Sequence, residues 1–132
     1  MSQRTHSDLV RQAYEAFARR DAQALAEISD PEIEILSVTG VLAGRDKPYS
    51  GVQALADYLD DVQQIWDEIE LLPQEVLELD AERVLVFGRV RARRQNSRVD
   101  TPNAWLWKLR GGRVLSVHVY AEPTSDASWL FK

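Results

Sequence analysis

One stretch near the end of the chain decides its fold: NAWLWKLRGGRVLSVHVYAE, from Asn103 to Glu122. Two apolar segments flank Gly111 and Gly112, which supply the positive φ angles that a tight hairpin turn requires. Apolar side chains fall on both faces of each predicted strand, whereas an antiparallel sheet with one wet face alternates apolar and polar residues. The hairpin is therefore expected to cover a core or cavity on one side and another body, such as a second subunit, on the other.

Length and composition limit what else the chain can be. Its 132 residues, 45% hydrophobic and 28% charged, predict a single domain over residues 1–132. The absence of cysteine excludes disulfides and Cys nucleophiles and suits a reducing compartment. No stretch reads as a signal peptide or a membrane span, so a soluble cytoplasmic protein without a membrane partner is expected. The net charge of -5 argues against nucleic acid as a partner.

The first part of the chain reads as two helices and a strand. Residues 7–20 repeat apolar side chains at three- and four-residue spacing, which is typical of a helix with one buried face. Asp21 is predicted to cap a short second helix over residues 22–29, and Asp30-Pro31 to end it. Residues 32–38 alternate as a strand does.

The middle part is predicted to hold a loop and a third helix. Residues 39–49 carry two glycines, a proline and mixed charge, and are interpreted as a loop. Ser50 and Gln53 have the spacing of a capping box, which starts a helix over residues 52–66. Its acidic side chains mostly fall off the apolar stripe and are interpreted as a solvated face: Asp57, Asp60, Asp61 and Asp67.

Beyond this helix the pattern changes to strands. Residues 69–79 and 83–93 precede the hairpin, and Pro73 is expected to mark a bulge or an edge strand. The tail over residues 124–132 is expected to add a helical turn whose apolar side chains cap the core. Helices segregated from a meander of strands give an α+β domain of order αα-β-α-ββββ. A strongly curved sheet wrapped on the long helix leaves a concave interior.

A histidine and a group of arginines suggest catalysis and nucleic-acid binding, but the sequence pattern favours other roles for both. His118 lies on the strand face opposite Val117 and Val119, and a dimer face is the favoured interpretation over a catalytic role. The arginines at positions 89, 91 and 93 share a strand face and are interpreted as pairing with the acidic helix faces rather than with nucleic acid. Two histidines and no cysteine offer no metal-ligand spacing, so neither a metal nor a cofactor is expected.

Five groups of residues along the chain carry a resemblance to a known family: Ala13–Phe17 with Asp21, Asp30–Glu34, Pro48–Gly51, Val84–Arg91, and Trp107–Val114 with Tyr120. In their order and spacing they resemble the nuclear transport factor 2-like superfamily, most closely its SnoaL-like branch. The resemblance covers nearly the whole chain and implies a conical α+β barrel around a small-molecule cavity, usually a homodimer formed through the outer sheet face. That agrees with the two-sided hairpin.

The resemblance also indicates where catalytic residues would lie. Ketosteroid isomerases of this fold place a general-base Asp where Ser37 stands and an oxyanion-holding Asp near Trp105. Their first-helix Tyr falls at Ala13, or at Tyr14 with a slip of one residue. A neutral Ser37 cannot act as the base.

Two further catalytic sets are also incomplete. The His and Asp of SnoaL-type polyketide cyclases correspond to Val117 and Val119. The Arg and two Asp of limonene-epoxide hydrolases correspond to Gly88, Val90 and Val119. The missing titratable groups weaken the case for an enzyme, since acid–base catalysis needs them in the pocket.

The resulting prediction is an apolar, aromatic cavity that binds a hydrophobic small molecule. One hypothesis is isomerase, cyclase or hydrolase chemistry on a cyclic substrate, with Tyr14, Ser37 or Asn103 orienting a carbonyl. The alternative is a non-catalytic dimer that binds a lipophilic ligand or serves as an accessory protein. A separate interpretation of the aromatic residues is that they fill the interior as core. The predicted lining is Tyr14, Phe17, Ile35, Ser37, Tyr49, Tyr58, Trp66, Asn103, Trp105, Trp107, Val117 and Val119.

Overall fold

The computed structural model describes residues 6–121 as four helices and six strands. The helices are α1 (His6–Ala18), α2 (Ala22–Glu27), α3 (Val38–Leu42) and α4 (Ala54–Ile65). The strands are β1 (Ser29–Leu36), β2 (Tyr49–Ser50), β3 (Glu68–Glu78), β4 (Arg83–Arg94), β5 (Ser97–Arg110) and β6 (Arg113–Ala121). The predicted tail helix lies outside the described residues.

The strands form one open, mixed sheet. Their order is β2-β1-β6-β5-β4-β3, and β1 pairs with β6 in parallel while the other neighbours are antiparallel. The helices pack on one face of the sheet. The predicted α+β class and the meander of β3 to β6 are confirmed, and the edges formed by β2 and β3 leave the sheet unclosed.

The hairpin of β5 and β6 forms as predicted. Gly111 and Gly112 have φ angles of 59° and 75°, and Arg110 pairs with Arg113 across the turn. The Arg110 guanidinium donates from Nε and Nη2 to the two carboxylate oxygens of Asp30, at 3.1 and 2.9 Å. This bidentate contact fixes the turn against the start of β1.

Local patterns explain some boundaries and miss others. Asp21 caps α2 as predicted, since its Oδ1 accepts from the backbone N–H of Ala24 at 3.0 Å. The capping box is wrong, because Ser50 belongs to β2 and α4 starts after Gln53 without a side-chain cap. The segment interpreted as a loop contains α3 and the start of β2, and β1 begins at Ser29, earlier than predicted. Pairing of Tyr49 with Ile35 draws this segment into the sheet.

The predicted irregularity at Pro73 is confirmed. The register of β3 shifts between Pro73 and Glu75, and β3 is an edge strand. Gly88 lies opposite Pro73, and a Cβ there would come within 2.1 Å of the Leu72 carbonyl oxygen. Only glycine allows the two backbones to approach this closely.

Buried side chains lie on both faces of the sheet, as the hairpin predicted. The main core lies between the helices and the sheet and includes Trp105 and Trp107. On the opposite face, a second group consists of Leu85, Ala104 and Leu106 with Phe87 and Tyr120 packed against it. We call this group the outer-face cluster. Within residues 6–121, no helix is long and apolar enough to cross a membrane.

Candidate functional site

An apolar void lies between the helices and the sheet, where the sequence predicts the cavity. Its volume is about 50 Å³. Helices α1, α2 and α4 supply one side, and strands β1, β3, β5 and β6 supply the other. The lining residues are Ala13, Tyr14, Phe17, Leu25, Ile28, Ser29, Ile33, Ile35, Leu55, Tyr58, Leu71, Trp105, Trp107, Val114, Val117 and Val119.

Most of the residues predicted from the sequence come together around this void. Their ligand-binding role stays a prediction, because a lining position does not by itself show a ligand site. The remaining lining residues are aliphatic or small, and in the sequence they look like any other core positions. The predicted residues that line the void are Tyr14, Phe17, Ile35, Tyr58, Trp105, Trp107, Val117 and Val119.

The other predicted residues lie elsewhere. Ser37 and Tyr49 line a separate pocket of about 190 Å³ beside α3. Trp66 packs on the core, and its Nε1 donates to the hydroxyl of Thr39 at 3.0 Å, which ties α4 to α3. Asn103 is buried on the same sheet face as Trp105 but is not among the lining residues.

Tyr14 is central to the aromatic wall. Helix α1 presents its ring to β5, where it makes edge contacts with Trp105 and Trp107, with ring centroids 5.4 Å apart in each pair. On the α4 side, Tyr58 packs against Phe17 at 6.0 Å and against Tyr49 at 5.2 Å. Aromatic rings held in edge and tilted contacts thus form part of the wall of the void.

Three buried polar atoms have no hydrogen-bond partner in the part of the chain that the structure describes. They are the hydroxyl of Tyr14, the hydroxyl of Ser37 and Nε1 of Trp107. Burial strongly raises the pKa of the Tyr14 hydroxyl, and the nearby Nε1–H of Trp107 lowers it by a smaller amount, so the hydroxyl stays protonated as a donor. Tyr14 and Trp107 line the same void, and their polar atoms lie close together there without reaching hydrogen-bond geometry.

The lining lacks the groups that acid–base chemistry requires. Among the lining residues that the structure describes, there is no Asp, Glu, His, Lys or Arg. The hydroxyl of Ser29 donates to the Leu25 carbonyl at 2.6 Å and is therefore occupied. Within residues 6–121, no three acidic or histidine side chains gather as a metal site requires. The wall can donate hydrogen bonds, but its described residues offer no carboxylate or imidazole as a base.

A polar network that sequence reasoning missed lies beside Tyr49. The carboxylate of Asp61 accepts from the Tyr49 hydroxyl and from Nε of Arg45, both at 2.6 Å. Asp61 was interpreted as part of a solvated face, and this is wrong, because its side chain is 13% exposed. The Arg45 contact lowers the pKa of Asp61, and burial, together with Asp61, raises the pKa of Tyr49 to about 12. All three groups keep their ordinary charge near neutral pH.

His118 lies on the outer face of the sheet, as its position predicted. Its ring stacks on Tyr120 at 4.1 Å, away from the void. Burial and the nearby charge of Lys108 lower the pKa of His118. It therefore belongs with the outer-face cluster and not with the aromatic wall.

The strand arginines are paired, but not with the helices. Arg89 contacts Asp100 of β5 at 2.8 Å. Arg93 contacts Asp67 at 3.2 Å and Glu68 at 3.5 Å, near the start of β3. Of the acidic residues assigned to the helix by sequence, Asp67 does pair with Arg93, but it lies between the end of α4 and the start of β3. Arg89 pairs with β5 instead, so the predicted pairing with a helix face is wrong for this arginine.

Comparisons with known proteins agree with this architecture. An uncharacterised protein of Mycobacterium tuberculosis is 30% identical over 125 residues, covering 92% of this chain and 93% of that protein. A nuclear transport factor 2-like protein of unknown function from Burkholderia pseudomallei superposes with a TM-score of 0.77 at 23% identity, covering 87% of this chain and 88% of its own.

Polyketide cyclases are also related in fold. A proposed polyketide cyclase from Sinorhizobium meliloti superposes with a TM-score of 0.68 at 19% identity, covering 86% of this chain and 94% of its own. Such low identities show a shared fold and leave the activity open. The model of the SnoaL-like domain family matches residues 10–117. The chain belongs to the SnoaL-like domain family, as its sequence predicted.

Proposed function

We propose that this protein binds a small, mainly apolar molecule whose carbonyl oxygen accepts hydrogen bonds from Tyr14 and Trp107. One observation supports this most: both side chains line the same apolar void, and their polar atoms lie near each other there, yet neither makes a hydrogen bond of good geometry within residues 6–121. A buried donor without a partner destabilises a fold by about 1–3 kcal/mol. A bound carbonyl would remove that penalty, because it supplies the acceptor.

The proposed site is a donor site. Burial keeps the Tyr14 hydroxyl protonated, and the described lining has no carboxylate or imidazole that could take a proton. Donors aimed at a carbonyl polarise it and stabilise negative charge on its oxygen. The relation to polyketide cyclases favours a cyclic or aromatic ketone as the ligand, and any reaction would then depend on proton transfer by the ligand itself or by water.

A pair of nearly isosteric compounds tests the proposal. Acetophenone carries the carbonyl, and α-methylstyrene replaces the oxygen with a carbon. Titration calorimetry should show that Tyr14→Phe weakens acetophenone binding by about two- to tenfold, the equivalent of one hydrogen bond, and leaves α-methylstyrene unchanged. Phenylalanine keeps the ring and removes only the hydroxyl.

Tyr120→Phe provides the matched control, because it makes the same chemical change in the outer-face cluster. It should alter neither affinity. Equal weakening of both compounds by Tyr14→Phe would contradict a hydrogen bond to the ligand. Absence of acetophenone binding to the wild-type protein would contradict the proposed function.

The outer-face cluster supports a second proposal, a homodimer formed through this face of the sheet. Phe87 and Tyr120 are partly exposed on the sheet face that the described helices do not cover, above the buried Leu85, Ala104 and Leu106, and two copies of such an apolar face can pair about a two-fold axis. Such a dimer could act as a non-catalytic accessory protein. Sedimentation velocity should give a dimer at micromolar concentration and a folded monomer for Phe87→Glu. A monomeric wild-type protein would contradict this proposal.

A further inference from the structure

The interior void is too small for the whole ligand proposed above. Its volume is about 50 Å³, whereas an apolar cavity of about 150 Å³ accommodates one benzene molecule. Pockets that hold drug-sized ligands reach about 300–1,000 Å³. A carbonyl group fits inside the void, and an aromatic ring attached to it must lie elsewhere.

A larger cleft lies between α1 and β3. Its volume is about 510 Å³, which is in the range of ligand pockets. Val10, Ala18, Pro73 and Val76 give it apolar walls, while Arg11 and Glu15 add charge. The cleft has the size and composition for the apolar body of a ligand, with room for a polar end.

Tyr14 connects the two spaces. Among the described residues, it is the one that lines both the void and the cleft. A molecule that spans them must pass the edge of its ring. Moving this ring weakens edge contacts with Trp105 and Trp107, and the hydroxyl makes no hydrogen bond of good geometry to a described residue that would hold the ring in place. A hydrogen bond from the hydroxyl to the ligand is of the same size as one edge contact between rings, so it offsets part of the cost of displacing Tyr14.

We propose that the cleft between α1 and β3 is the outer half of the ligand site. It takes the apolar body of a rod-shaped aromatic ketone, and the ketone oxygen reaches the void past the edge of Tyr14. The inference rests on the proposed function and adds to it the length of the ligand and the route by which it enters. Ligands longer than the void should therefore gain affinity from the cleft.

Two ketones of different length test this inference. Acetophenone has one ring, which should lie beside Tyr14 between the void and the cleft, and 4-acetylbiphenyl extends the same acetyl group by a second ring that should lie in the cleft beside Val76. Burial of that ring should make the longer ketone bind about tenfold more tightly to the wild-type protein. Val76→Glu places a charge in the cleft and should abolish this gain, while acetophenone binding should change by less than about twofold.

Leu77→Glu is the matched control for this substitution. Val76 and Leu77 are neighbours on the edge strand, 44% and 38% exposed, and both should tolerate a charge without unfolding. Leu77 pairs with Leu85 of the outer-face cluster and does not line the cleft. Its substitution should leave the affinities of both ketones unchanged.

The outcomes separate this inference from the proposed function. If acetophenone binds and Val76→Glu leaves the affinity for 4-acetylbiphenyl unchanged, the inference is wrong and the interior site stands. If Val76→Glu weakens both ketones equally, the cleft does not recognise the second ring and the inference is also wrong. If neither ketone binds the wild-type protein, both the inference and the proposed function fail.

Discussion

The hydroxyls of Tyr49 and Tyr14 differ in the polar groups around them. The Tyr49 hydroxyl donates to Asp61 at 2.6 Å, and the same carboxylate oxygen accepts from Arg45. The Tyr14 hydroxyl is also buried, yet it has no partner within residues 6–121. Both rings make edge contacts with other aromatic rings. The difference therefore lies in the polar groups and not in the packing.

The contrast between Tyr49 and Tyr14 distinguishes a hydroxyl that stabilises the fold from a hydroxyl that is available to a ligand. A buried hydrogen bond to a charged group stabilises a fold by about 1.5–3 kcal/mol, whereas an unmet buried donor destabilises it by a similar amount. The surroundings of Tyr49 are complete without a ligand, and those of Tyr14 are not. An unmet donor in an apolar wall offers an acceptor on a ligand a hydrogen bond that the folded protein does not already make.

Among the substitutions at the two tyrosines and their partners, removal of the Asp61 side chain should lower the stability of the protein most. Asp61→Ala takes the acceptor from Tyr49 and the ion-pair partner from Arg45 at once. The loss of stability should therefore exceed that of any single hydroxyl substitution at these two tyrosines. Urea denaturation measures it. Asp60→Ala, an exposed neighbour on α4, should have little effect, and equal losses for the two variants would contradict the prediction.

The same variant should change the acid dependence of stability. Arg45 holds the pKa of Asp61 below its ordinary value of 3.8, so ionised Asp61 is favoured by folding. Its contribution is fully present above the unfolded-state value and is lost as pH falls through the lower folded-state value. The stability difference between wild type and Asp61→Ala should thus shrink in acid.

Tyr49→Phe should produce a smaller loss. It keeps the ring contact with Tyr58 and removes only the hydrogen bond to Asp61, so a loss of about 2 kcal/mol is expected. The free energy of unfolding from urea denaturation at neutral pH tests this. A change of less than about 0.5 kcal/mol would mean that water replaces the lost donor at Asp61.

Much of the fold was predictable because local patterns carry it. The glycine pair specified the hairpin turn, and the spacing of apolar residues specified α1 and α4. The short strand β2 was not predictable, since two residues carry no period and their pairing with β1 holds them in the sheet. Ser50 has the sequence spacing of a helix cap, but the pairing of β2 with β1 places it in a strand instead.

The candidate site likewise has a part that the sequence predicts and a part that it does not. Helical and strand periods predicted that Tyr14 and Trp107 face inward, because each position follows from its own element. The hydrogen bonds of Asp61 could not be predicted, since Arg45 lies between α3 and β2 and Tyr49 begins β2, and the path of this segment depends on tertiary contacts. Which buried donors lack a hydrogen-bond partner likewise depends on how the helices and strands pack around the void.

Tyr14→Phe should have the smallest effect and the opposite sign to Tyr49→Phe. Phenylalanine keeps the edge contacts with Trp105 and Trp107 and removes a buried hydroxyl that has no described partner. Stability should rise by about 1 kcal/mol, which raises the melting temperature by about 3–5 °C for a domain of this size. Calorimetry of the ligand-free protein measures it. A loss as large as that of Tyr49→Phe would show that the Tyr14 hydroxyl is already satisfied, and a variant that is more stable yet binds acetophenone less tightly would show that this hydroxyl is kept for the ligand.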